Sequence, residues 1–278
     1  MSAMNPMKSM NPMSATNPLR ERLARVLVPA LVLGGVVLGW ELLVRLAQVP
    51  HYILPAPSRI VATLAENFPS LAAAWWFTIK ITFGALLLAA GGGVLLATVF
   101  ALSRSAERAL LPLAIVLQVT PIVAIAPLIL IYVESTTAAL LICAWIVAFF
   151  PILSNTLIGL RAADANLRDL FTLYRASRWQ RLRWLMVPSA LPYFIAGLKI
   201  SGGLALIGAV VAEFAAGAAG RETGLASRIL EASFRTDIPR MYAALLLVAL
   251  TGVAIFVLFN LLSRWLLGRW HASESGDR

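Results

Sequence analysis

Residues 161–188 read RAADANLRDLFTLYRASRWQRLRWLMVP, the longest charged interruption in a chain that is otherwise a string of apolar blocks. Six arginines (Arg161, Arg168, Arg175, Arg178, Arg181 and Arg183) stand against two acids, Asp164 and Asp169. Leu167, Leu170, Phe171, Leu173 and Tyr174 recur at helical spacing. An apolar stripe on a strongly basic helix is the pattern of an amphipathic helix at a membrane face. Apolar runs of spanning length lie on both sides of it, so the stretch is read as a short interfacial helix joining two membrane spans.

Working outward, the whole chain has the same character. It has 278 residues, 60% of them hydrophobic and only 13% charged. A soluble domain would carry about 25% charged residues. The deficit and the mean hydropathy of +0.84 predict a polytopic membrane protein. Lipid admits only helices or closed barrels, and period-2 alternation is absent, so the expected fold is all-α. The net charge is +10. Most of it lies near segment ends, which reads as membrane topology and argues against a nucleic-acid partner. Cys143 is the single cysteine, and His51 and His271 are far apart, so no metal site is expected.

The expected organisation is a disordered cytoplasmic tail over 1–25, a six-helix transmembrane domain over 26–267 and a short cytoplasmic tail over 268–278. MNPM occurs twice in the first tail, at Met4–Met7 and Met10–Met13, and reads as a floppy leader rather than a Met-rich metal site. Spans are expected at 26–47, 75–102, 110–133, 138–160, 191–214 and 241–267. Glu41 and Arg45 suit an i,i+4 ion pair at the outer end of the first span. Pro55 and Pro57 stop one helix and Ser58 caps the next. Residues 59–74 are expected along the outer face as a separate amphipathic segment. Gly91, Gly92 and Gly93 suit close helix approach.

The third span carries Pro121 and Pro127, whose freed carbonyls need protein or water partners. It is therefore read either as a pathway-lining helix or as a kinked packing helix. Gln118, Thr120, Pro121, Asn155, Ser201 and Glu213 are the pathway candidates. The N-terminal tail, the Arg104–Arg108 turn, the 161–183 stretch and the C-terminus are basic, and the alternate loops are nearly neutral. The positive-inside rule then places both termini and the opening stretch in the cytoplasm.

No Walker A pattern, GxSxG or HExxH is present, so no catalytic residue and no ATP-binding loop are expected. Ionisable groups within the spans are few and peripheral, unlike those of a proton-coupled carrier. A pore would take its energy from another protein or run downhill. On the residues alone, the basic helix sits in a partner's groove or lies on anionic lipid. A stand-alone channel, a secondary carrier and a membrane scaffold are the competing readings.

The same stretch resembles the permease subunits of bacterial ABC importers of the binding-protein-dependent type, and within them the nitrate/sulfonate/taurine branch. That family carries a cytoplasmic motif EAA–three residues–G–nine residues–I–x–L–P. Counting back from Pro188 puts Val187 at L, Leu185 at I, Arg175 at G and Asp169-Leu170-Phe171 at EAA. The spacing is kept while the two alanines and the glycine are not. Leu54-Pro55-Ala56-Pro57-Ser58, the Pro121–Pro127 run, Phe149-Phe150-Pro151, Gly197-Leu198-Lys199 and Ala212-Glu213-Phe214 also resemble family strings.

The resemblance implies a type I importer permease with six transmembrane helices. It implies a homodimer in the plasma membrane, surrounded by membrane lipid. Two ATP-binding subunits would hold ATP and Mg, with no cofactor on this chain, and a substrate-binding protein would sit outside. It assigns coupling to the ATPase to Asp169, Leu170, Phe171, Tyr174, Arg175, Ala176, Ser177, Arg178 and Trp179. Among solutes, a pyrimidine thiamine precursor or riboflavin is favoured, with sulfonate, taurine and nitrate next.

Overall fold

The computed structural model describes residues 18–217 and 223–267. The expected tails at 1–17 and 268–278 lie outside the described residues. Every regular element among the described residues is helical: α1 (Pro18–Leu46), α2 (Pro57–Leu102), α3 (Arg104–Val119), α4 (Ile122–Tyr132), α5 (Thr136–Arg161), α6 (Ala165–Leu173), α7 (Arg178–Arg181), α8 (Val187–Ala216), α9 (Leu225–Phe234) and α10 (Ile238–Leu267). A π-helical turn, Leu182–Met186, joins α7 to α8 without a break. Five helices are long and apolar enough to span a bilayer, or six when α3 and α4 count as one broken span.

The described residues form two compact units, divided between Arg59 and Ile60. In the first, α1 begins at Pro18, seven residues before the expected end of the tail. Near its far end the expected ion pair is present, with Arg45 Nε 2.5 Å from Glu41 Oε1. Glu41 does more than pair. Its Oε2 accepts from the Ser58 backbone N–H at 3.0 Å and its Oε1 from the Ser58 hydroxyl at 2.7 Å. A carboxylate of α1 thus satisfies a free amide in the first turn of α2.

α2 corrects the expected boundary at residue 75. The outer amphipathic segment and the span are one helix of 46 residues. At 1.5 Å per residue it is about 69 Å long, more than twice a hydrocarbon core of about 30 Å. Pro57 starts it at the position where a missing N–H costs nothing, and Pro69 lies inside it without ending it. The third span is corrected in the other direction. It is two helices bent by 102° rather than one kinked helix. Pro121 has no N–H and forces the residue before it out of the α region. Thr120 accordingly sits at φ −68°, ψ 123°.

The second unit is built on the antiparallel contact of α5 and α8. Ser201 Oγ donates to the Ala148 carbonyl across it at 2.6 Å. The backbones come so close that a Cβ on Gly197 would lie 2.9 Å from the Pro151 carbonyl oxygen, and one on Gly208 would lie 2.9 Å from the Ala144 Cα. Around this pair, Phe100 from α2, Ile152, Leu153 and Leu157 from α5, and Ile255 and Phe259 from α10 form one core. Within the expected glycine triplet, Gly93 meets Ile152 and Leu153 of α5 while Gly91 faces open space.

Replacing Gly208 with leucine should cost about 1–3 kcal/mol, because the nearest atom is backbone and cannot swing away. Gly203→Ala, with nothing within 4 Å, should leave stability unchanged or slightly raised. Thermal unfolding of the two variants in detergent checks the contrast; equal losses would show that the close approach is not limiting.

Candidate functional site

The stretch joining α5 to α8 is two short helices, each closed by its own side chains. Asp164 caps α6, its Oδ1 accepting from the N–H groups of Asn166 at 2.8 Å and Leu167 at 3.3 Å. α6 ends in a Schellman turn. The Ala176 N–H reaches back to the Phe171 carbonyl at 2.9 Å, and the Arg175 N–H to the Thr172 carbonyl at 3.0 Å. This turn needs a left-handed residue, and Arg175 supplies it at φ 51°. Ser177 and Gln180 then form a capping box. Ser177 Oγ accepts from the Gln180 N–H at 3.2 Å, and Gln180 Oε1 accepts from the Ser177 N–H at 2.7 Å.

From there the chain runs as continuous helix into α8. Pro188 lacks the N–H that would close an α-turn on Trp184, which accounts for the wider π turn just before it. Leu182 and Leu185 at this junction are buried, as is Leu160 at the end of α5. Both ends of the stretch are therefore anchored in the core, while its middle projects. Leu173 and Tyr174 are each 80% exposed, and Trp179 and Trp184 are about two-thirds exposed. A cavity of about 310 Å³ opens between the two helices, lined by Leu170, Phe171, Tyr174, Ala176, Gln180 and Trp184. Asp169, Arg175, Ser177 and Arg178 are exposed around it. An apolar and aromatic surface beside Arg175 and Arg178 is thus exposed on a mount anchored at both ends.

The pathway candidates separate into two groups. Gln118, Thr120 and Pro121 lie together at the break between α3 and α4, where Thr120 Oγ1 donates to the Val116 carbonyl at 2.7 Å. Asn155, Ser201 and Glu213 instead lie within the packed helices. Asn155 Nδ2 donates to the Pro151 carbonyl at 2.8 Å, and Ser201 is wholly buried between α5 and α8. Glu213 is 1% exposed. Its Oε1 accepts from the Thr78 hydroxyl at 2.8 Å and its Oε2 from the Ala226 N–H at 3.0 Å. The Thr78 hydroxyl in turn accepts from the Leu225 N–H at 2.9 Å. Together these two side chains, from α8 and α2, satisfy the first amides of α9. Gly224 precedes that helix because a Cβ there would run into the Glu213 carboxylate.

Sequence reasoning missed Thr78 and Gly224 entirely. Their signal was a threonine within the long apolar run of α2 and a glycine just before a helix, neither distinctive by itself. It also missed the pairing of Arg161 with Glu107. Both guanidinium nitrogens bind the one carboxylate, at 2.9 and 2.6 Å. The pair joins the end of α5 to the first turn of α3.

A helical membrane domain with a cytoplasmic-motif stretch mounted between two tightly packed spans defines a transport permease. The chain belongs to the family described as the inner membrane component of binding-protein-dependent transport systems, which matches residues 89–271. It is a membrane permease subunit of an ABC importer and a multi-pass protein of the bacterial plasma membrane. Permeases of this family work with ATP-binding subunits and a substrate-binding protein. A probable ABC transporter permease of Haemophilus influenzae is 31% identical over 88% of this chain and 97% of its own length. The riboflavin transport permease RibX of Chloroflexus aurantiacus is 34% identical over 84% of this chain and 86% of its own. The formylaminopyrimidine transport permease ThiX of Halalkalibacterium halodurans is 32% identical over 88% and 98%.

Glu213→Ala leaves the buried Ala226 amide without its acceptor, at a cost of about 2 kcal/mol. α9 should then open locally, seen as faster tryptic cleavage at Arg228 and Arg235. Thr78→Val should act in the same direction and Glu213→Gln more weakly, since the amide oxygen still accepts. Unchanged cleavage in Glu213→Ala would show that packing alone holds α9.

Proposed function

We propose that the α6–α7 surface is the contact through which a separate ATP-binding subunit drives this permease. The observation that carries the reading is the mount. The exposed Leu173–Trp184 surface stands at the motif position, and a continuous helix runs from Arg178 to Ala216. A push on α7 therefore moves α8 as a rigid body, and α5 with it through their close packing. ATP and Mg bind on the partner, where hydrolysis takes place, and this chain binds no cofactor.

The working unit in this reading is a homodimer with both termini cytoplasmic and an extracytoplasmic binding protein above it. The solute crosses between the two copies. Gln118, Thr120 and Pro121 at the α3–α4 break are the side chains most available to it, because the other polar candidates are occupied within the fold. A riboflavin-like or pyrimidine thiamine-precursor solute is favoured over sulfonate, taurine or nitrate. The support is that the riboflavin and formylaminopyrimidine permeases are 34% and 32% identical to this chain, against 28% for an aliphatic sulfonate permease of Bacillus subtilis over a similar length.

Replacing residues 169–179 with a Gly/Ser linker should abolish co-purification of the ATP-binding subunit while the chain still inserts and folds. Retention of the subunit would overturn the coupling assignment. In the reconstituted importer, uptake should require ATP and be competed by riboflavin or aminopyrimidines rather than by taurine. Arg175→Gly relieves a left-handed non-glycine residue and should stabilise the turn by up to about 1 kcal/mol, with little change in subunit binding. A large loss of binding would mean that the arginine itself makes the contact.

A further inference from the structure

A second cavity, of about 940 Å³, lies where α2 ends and α3 begins, against the end of α5 and the first turns of α6. Arg104, Arg108, Arg161 and Arg168 line it, with Glu107 as the one acid among the lining residues. Glu107 is committed to Arg161 through the two-point pair described above. Arg104 and Arg108 act on the same carboxylate only through space. Neither they nor Arg168 has a carboxylate within ion-pair distance among the described residues. Three guanidinium charges are thus left uncompensated in one concave site.

Farther along α3 from Arg104 and Arg108 the lining is apolar, through Leu111, Pro112 and Ile115. Arg104 follows the last residue of the α2 span by two positions, and Arg161 is the last residue of the α5 span. The polar part of the cavity is therefore at the membrane surface, and the apolar part runs toward the hydrocarbon. That is the shape of an amphiphile with an anionic head. An acidic protein segment would match the arginines but not the apolar wall, and free phosphate would leave that wall empty.

We propose that this groove binds the headgroup of an anionic phospholipid, its phosphate between Arg104, Arg108 and Arg168 and an acyl chain along Leu111 and Ile115. The inference rests on the permease reading, which places this end of the chain in a bilayer. Arg168 belongs to α6, and Arg104 and Arg108 belong to α3, which the Arg161–Glu107 pair ties to the end of α5, so a bound headgroup links the docking helix to that pair of helices. Lipid occupancy then stiffens the joint through which the ATP-binding subunit acts.

The test uses the full chain, delipidated in a neutral detergent. Binding is followed by native mass spectrometry and thermal shift with phosphatidylglycerol, phosphatidylcholine and inorganic phosphate as separate probes. Phosphatidylglycerol should bind and raise the unfolding temperature, and the other two should not. The exposed double variant R104Q/R108Q should bind it roughly thirtyfold more weakly, and R168Q should be intermediate. R264Q, at a basic span end away from the groove, should bind as wild type does. Equal binding by R104Q/R108Q and wild type would overturn the site. An equal response to inorganic phosphate would overturn the lipid assignment in favour of a free anion. In the wild-type chain, failure to bind phosphatidylglycerol with the ATP-binding subunit retained counts against the groove alone; lipid binding without subunit retention counts against the coupling reading alone.

Discussion

The contact between α5 and α8 is the constraint on which the rest of the second unit depends. Lipid offers no hydrophobic drive for two spans to associate, so association relies on close packing and on hydrogen bonds between helices. Gly197 and Gly208 permit backbone approach, and the Ser201 hydroxyl fixes the register against Ala148. The consequence reaches beyond stability. α5 and α8 are the two helices that carry the docking stretch between them. Held in register, the pair fixes both ends of the stretch, since Leu160 and Leu182 share one core.

At two helix starts the structure solves a different problem. A helix that starts near the membrane exposes amides with no partner in its own first turn. α2 and α9 both receive acceptors from a glutamate on the preceding span. Glu41 reaches Ser58 across seventeen residues, and Glu213 reaches Ala226 across thirteen. Each cap ties a helix to the start of a later one.

The spans and the charged stretch between two of them could be read in the sequence because hydropathy and charge placement are local signals. Helix ends and tertiary polar contacts could not be read in the same way. Residues 59–74 looked like a separate segment because their apolar content drops, yet the helix continues through them and past Pro69. Pro121 looked like a kink because sequence gives no angle, and only the extended geometry of Thr120 sets the 102° bend. Ser201 and Glu213 looked like pathway groups because a polar residue in a span has two uses, lining water or bonding to protein. Choosing between them needs the partner, and Ala148 and Ala226 lie 53 and 13 residues away.

Arg175 illustrates how a motif letter and a motif geometry come apart. The glycine of the family pattern is explained by the left-handed backbone at a Schellman turn, where a Cβ costs about 1–2 kcal/mol. Arg175 takes that conformation, with both reverse hydrogen bonds formed. Gln48 and Thr236 do the same after α1 and α9, so three helices of this chain end on left-handed residues that are not glycine. The turn is held by the bonds around it and by anchoring of the flanking helices, and the residue type only sets its cost. What replaces glycine here is a long cation on the rim of an aromatic cavity. The frame of the motif is therefore preserved, while the charge presented to whatever docks there is increased by one.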